Sequence, residues 1–257
     1  DMTLSEAVAR IVNSQINELV ERCVKNNDTR HYFDIAMIGY GQEAYSAWNG
    51  SLEGRDFVTP EEIRNNPFQK KMVREEVRTR KGVTIKEIEK KQWMTARHDG
   101  NWTHMDKALK RAEGLLVNWM HEHQDKDCYP PTIINITDGE YNGVTDDEML
   151  QLSNQLKSMF TNDGNVLFFN IHIVPGHAEA VAFPATMAEL NNNGYGEKLY
   201  NMSSLLPLNY NEQIRNIFGD KQTDIRYHAM GVNTGMERLV KMMKIGTLSS
   251  MLVNNNH

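Results

Sequence analysis

Pro131-Thr132-Ile133-Ile134-Asn135-Ile136-Thr137-Asp138-Gly139-Glu140 is the stretch on which the fold turns. Its β-branched run is too short for an amphipathic helix and stops at Asp-Gly, the pattern of a buried strand in a parallel sheet that ends in a turn. The Asp138 carboxylate then falls at the C-terminal edge of that strand. In open α/β sheets this edge is where loops diverge and ligands bind. Asp138 is therefore the first candidate functional residue, against the plain alternative of an Asp-Gly turn.

On either side of this strand, helix and strand patterns alternate. Upstream, Met105, Leu109, Ala112, Leu116 and Trp119 give a helix from Thr103 to Glu122. Downstream, Thr145 and Glu148 have the form of a capping box for a helix carrying Met149, Leu152 and Leu156. The run Val166-Leu167-Phe168-Phe169 follows, in a strand spanning Asn165 to Ile173. Such alternation implies right-handed crossovers and an α/β fold, a Rossmann-like three-layer sandwich with a mostly parallel central sheet and helices on both faces. At 257 residues and 40% hydrophobic content the chain suits one large domain, residues 1–257.

The N-terminal part begins with a helix from Ser5 to Asn26, built on Val8, Ile11, Val12, Ile16, Leu19, Val20, Cys23 and Val24, with Thr3 and Glu6 as cap partners. Tyr32 to Gly41 reads as a strand, and Glu43 to Trp48 as a short second one. Thr59-Pro60-Glu61-Glu62 opens a brief helix. Residues 69–94 suggest a charged hairpin insertion turning at Lys81-Gly82, with a helix on Ile85, Ile88 and Trp93 as the alternative for its second half. Its lysines and arginines are interleaved with glutamates, which is the pattern of a solvated face rather than of a polyanion patch. The C-terminal part, residues 175–257, is less regular. Short helices at Lys198–Leu205 and Asn211–Phe218, a strand at Ile225–Met230 and a helix on Met236, Leu239, Val240 and Met243 are expected there, with the methionines as core filler.

Composition removes several function classes. A formal net charge of -6 speaks against a nucleic-acid protein. Two cysteines are too few for a disulfide framework. No apolar run reaches the ~18–20 residues that span a bilayer, and the N-terminus has no signal-peptide pattern. The expectation is a cytoplasmic protein with no membrane partner. His121 and His123 are two apart on a helix and do not form a zinc pair. No Gly-x-Ser-x-Gly elbow, P-loop or dinucleotide fingerprint is present in the sequence.

Hydroxyl and carboxylate oxygens at Thr103 and Asp138 are the donors a hard cation such as Mg²⁺ prefers. Asn101-Trp102-Thr103-His104-Met105 ahead of a helix, and Ile134 to Gly139 closing a buried strand, resemble the second and third ligand loops of a von Willebrand factor A domain. The bacterial cytoplasmic members, including those linked to tellurite resistance, are most similar. The likeness extends in outline over the entire chain. It implies a Rossmann-like sheet with a metal-ion-dependent adhesion site, Thr103 as the threonine ligand and Asp138 as the aspartate ligand. It further implies Mg²⁺ or Mn²⁺ as the ion, and a protein partner whose carboxylate completes the metal shell, making the chain an interaction device and not an enzyme.

The family's first ligand loop has the form Asp-x-Ser-x-Ser after a strand. Asp1, Thr3 and Ser5 match it in spacing, but no strand comes before them and the helix follows so closely that a cap explains Thr3 and Ser5 better than a ligand role does. The resemblance therefore implies a first central strand missing from the chain, and an ion site left empty or weakly held. Glu140 and Asp99 are further oxygen donors near the expected site. The rival reading is a Mg²⁺-dependent phosphoryl-transfer or phosphatase enzyme on a Rossmann-like sheet, with Asp138 holding the metal.

Overall fold

The computed structural model describes residues 3–79, 82–97, 100, 102–124, 126–137, 140–173, 180–191, 193–219, 221–233 and 236–252. The chain groups into two compact units, Asp1–Gly39 with Tyr45–Arg97, and Tyr40–Ala44 with His98–His257.

The first unit opens with α1 (Leu4–Cys23), which Thr3 and Glu6 start as a full capping box. Thr3 is thus occupied as the expected cap, its hydroxyl accepting from the Glu6 amide. Two small ribbons follow: β1 (Val24–Lys25) with β2 (Asp28–Thr29), and β3 (Ile35–Ala36) with β6 (Phe57–Val58). Between the last two, β4 (Ile38–Tyr40) and β5 (Ala44–Ser46) carry the chain to the second unit and back. The single strand expected over Tyr32–Gly41 is thus broken into β3 and β4. Next is α2 (Pro60–Asn65), with Thr59 and Glu62 closing its capping box. Both strands of the 69–94 segment form, as β7 (Gln69–Thr79) and β8 (Gly82–Gln92), which settles that segment as a hairpin.

A compact core of Val20, Trp48, Leu52, Val58, Ile63 and Trp93 holds this unit together. Its fastening is polar. The buried Asn13 side chain accepts from the Trp93 amide at 2.7 Å and the Met94 amide at 3.2 Å, and donates to the Met94 carbonyl at 2.8 Å. The Trp93 indole donates to the Ile63 carbonyl at 2.7 Å, so the foot of the hairpin is tied to α1 and α2 at once.

The second unit contains α3 (Met105–Glu122), β9 (Thr132–Thr137), α4 (Asp146–Ser158), the ribbon β10 (Phe160–Thr161) and β11 (Gly164–Asn165), β12 (Leu167–His172), β13 (Val181–Ala182), α5 (Gly194–Met202), α6 (Asn211–Phe218), β14 (Met230–Val232) and α7 (Met236–Leu252). Its sheet has the order β13-β14-β12-β9. β12 runs parallel to both β9 and β14, and β13 is antiparallel at the edge. The fold class is therefore mixed α/β with a mostly parallel sheet, consistent with a Rossmann-like arrangement. α5 starts earlier than the sequence suggests, and the last strand lies at Met230–Val232 and not at Ile225–Met230.

Side-chain alternation along the strands shows where the helices lie. Asn135 and Asn170 share one face, where Asn135 reaches Met105 of α3 and Asn170 reaches Ser203 at the end of α5. On the opposite face Phe169 meets Phe183 edge-on, and Phe183 meets Phe218 of α6, while α7 packs on β9. Every residue of β12 is buried, as expected for a strand covered on both sides. Cys23 in the first unit is fully buried, and burial pushes its thiol pKa up to about 11. Among the described residues no helix is long and apolar enough to cross a membrane.

Candidate functional site

The C-terminal ends of β9 and β12 define the edge to which the sequence pointed. β9 finishes at the buried Thr137, and the ladder is extended by the Ile173 amide donating to the Thr137 carbonyl at 2.9 Å. Asp138 and Gly139 follow immediately, and they lie outside the described residues, as do Asp1, Asp99 and Asn101. The chain is described again from Glu140, which is exposed.

The loop after β9 is gripped by the loop ahead of α3. The Thr103 amide donates to the Asn142 side-chain oxygen at 3.0 Å, and the Asn142 amide donates to the Thr103 carbonyl at 3.2 Å. This reciprocal pair places Thr103 beside the segment that leads away from Asp138. The helix itself starts two residues after Thr103: His104 is its N-cap, with no side-chain cap hydrogen bond. Thr103 lies one residue ahead of that N-cap.

Around that junction the packing is close. Gly143 has φ +76, a left-handed conformation that favours glycine, and a Cβ there would overlap the His104 ring. His104 stacks on Trp102 with centroids 5.4 Å apart, and Trp102 is 52% exposed at the rim. The His104 Nδ1 lies 3.5 Å from the Asp106 Oδ1. Asp106 is buried, its Oδ2 pairs with Lys110 at 3.2 Å, and its Oδ1 makes no hydrogen bond. The first turns of α3 also hold the 40–44 segment, through His104 to the Gly41 carbonyl at 2.9 Å and Lys107 to the Gln42 carbonyl at 2.7 Å.

Across the edge, the rings of His172, at the end of β12, and Tyr195 make a T-shaped contact with centroids 4.8 Å apart. Burial raises the Tyr195 phenol pKa. Its hydroxyl lies close to Thr137 and to the Tyr141 backbone without a well-formed hydrogen bond to either. Tyr141 donates to Asp146 at 2.6 Å and Lys198 pairs with the same carboxylate at 3.1 Å, which pins the far end of the loop. Burial first, and then the Asp146 contact, push the Tyr141 pKa up.

Beneath the edge runs a chain of buried amides. Tyr40 donates to Asn135 at 2.6 Å, Asn135 to Asn170 at 2.9 Å, Asn170 to the Ser203 hydroxyl at 3.0 Å, and Ser203 to the Leu199 carbonyl at 2.6 Å. Sequence reasoning passed over these asparagines, although each interrupts an otherwise apolar strand. It also passed over Asn142, which the Asn142-Gly143 turn signal marks.

The donors described at this edge suit a hard cation in kind, being hydroxyl and carboxylate oxygens. In number they are few: among the described residues no group of three or more His, Cys, Asp or Glu is placed to hold a metal. Compared with protein-family models, curated proteins and solved structures, the chain matches none.

Proposed function

We propose that the chain is a non-enzymatic, metal-ion-dependent protein-interaction module of the von Willebrand factor A type. Thr103 and Asp138 hold Mg²⁺ or Mn²⁺ at the C-terminal edge of the sheet, and a carboxylate of a protein partner completes the shell. The ion, when bound, supplies a positive centre that a partner carboxylate can reach, and the protein's part is to fix oxygen donors on rigid elements. The protein is expected to work in the cytoplasm. Neither nucleic acid nor membrane is an expected partner.

One observation carries the reading, namely the reciprocal hydrogen bonds between Thr103 and Asn142. They hold the Thr103 backbone against Asn142, in the segment that follows β9 in sequence, and so support reading Thr103 and Asp138 as neighbours at the edge where parallel α/β sheets bind ligands. Calorimetric titration with Mn²⁺ tests the assignment on the wild type, Asp138→Ala and Thr103→Ala. The aspartate variant is expected to lose most affinity, since it removes the charged ligand, and the threonine variant to lose less. Wild-type affinity in both variants would refute the site.

A further inference from the structure

The start of β8, from Gly82 to Ile85, is a strand edge without the charges that guard the rest of the strand. Gly82, Val83, Thr84 and Ile85 carry no charge, and Val83 and Ile85 are 60% and 66% exposed on one face of the hairpin. Protein edges are ordinarily blunted by charge, proline, a bulge or a covering element. Here β7 is the only strand paired with β8 among the described residues. α1 is fastened at the hairpin foot, through Lys91 to Glu21 and through Trp93 and Met94 to Asn13.

We propose that this edge pairs with the same edge of a second copy of the chain, antiparallel about a two-fold axis at Thr84, to form a four-stranded sheet across two hairpins. The charge pattern selects the register, and in that register the segment is complementary to itself, which selects a second copy as the occupant. An axis at Lys86 or Glu87 would set like charges directly against each other, which is destabilising. An axis at Ile85 would set Val83 against Glu87. Centred on Thr84, the pairing places Val83 opposite Ile85 of the other copy twice over, with Lys86 opposite Gly82 and no like charges opposed. Hairpins that overlap only at their distal halves also keep the two protein bodies apart. A five-residue overlap buries less than the roughly 1,200 Å² of a standard interface, so the dimer is weak and concentration-dependent.

Sedimentation analysis over a wide concentration range tests this, with the mass expected to rise toward twice that of the chain. Val83→Lys and Ile85→Lys should each abolish the rise. Met72→Lys should leave it unchanged, because Met72 is 58% exposed on the same face but sits on β7, away from the paired edge. Opposed residues in antiparallel strands have Cα atoms about 4.5–5.5 Å apart, within disulfide range. In a Cys128→Ser background, Thr84→Cys should therefore give an oxidised dimer and Met72→Cys should not. A monomer at every concentration overturns the proposal. So does a dimer that survives both lysine variants, one that Met72→Lys dissolves, or a failure of Thr84→Cys to cross-link.

Discussion

The two units treat their buried polar atoms differently. In the first, Asn13 spends both ends of its amide on the backbone of α1 and of the hairpin foot, and no buried side-chain nitrogen or oxygen among the described residues there lacks a partner. In the second, among the described residues, Asp106 Oδ1 and Asn211 Oδ1 are buried without a protein hydrogen bond, and Tyr195 Oη and His228 Nδ1 without a well-formed one. Each such atom costs free energy that a purely structural unit would avoid. Asp106 and Tyr195 both lie at the C-terminal edge of the sheet, where the proposed ion site is. The contrast sets a unit whose described buried polar atoms are all partnered against one in which some are not.

The sharpest way to break the comparison is at Asn13. Asn13→Leu strands the Trp93 and Met94 amides in the core, at about 1–3 kcal/mol each, so the first unit should lose on the order of 3 kcal/mol or more. Hydrogen exchange resolved by segment checks it: amides of the hairpin foot should lose protection while β12 keeps its own. Equal loss in both units would mean that Asn13 has no local role.

The amide chain of the second unit gives a smaller and less additive effect. Asn170→Leu removes the acceptor of the Asn135 amide and one of the two partners of the Ser203 hydroxyl, and should cost about 2 kcal/mol in denaturant melts. Asn135→Leu together with Asn170→Leu removes both ends of the central bond and should cost clearly less than the two single changes summed. Strict additivity would show that the two asparagines act independently and that the chain is not a unit.

Much of this fold was legible because local rules and tertiary packing agree. The capping boxes at Thr3, Thr59 and Thr145 appear in the structure, since each is a contest settled within four residues. The β9 and β12 strands were legible from short β-branched and apolar runs, each interrupted by one asparagine. What was not legible depends on contacts distant in sequence. The membership of residues 40–44 in the second unit goes with hydrogen bonds that His104 and Lys107 make to Gly41 and Gln42. At the site, Thr103 was named from its place before a helix, whereas its partner Asn142 has meaning only once the two loops are brought together. Asn135 and Asn170 likewise gain their role from a register that pairs them across two strands.

The smallest effect, and the one that sharpens the comparison most finely, concerns His228. Its ring stacks on Tyr200 at 3.7 Å, and burial, with the nearby Lys157 and Arg226 cations, holds its pKa below the ordinary value, while the Pro184 carbonyl acts the other way. Unfolded, the imidazole takes up a proton as the pH falls through about 6.5. Folded, it resists until lower pH, so across that window the unfolded chain binds more protons and stability falls as the solution is acidified. Above the unfolded pKa both states hold a neutral ring and the contribution is flat. Melting temperatures measured between pH 7.5 and pH 5 on the wild type and His228→Gln should therefore diverge on the acid side, with the wild type losing more. Parallel curves would show that the ring protonates as freely in the fold as in water, and would remove His228 from the polar atoms that set the second unit apart.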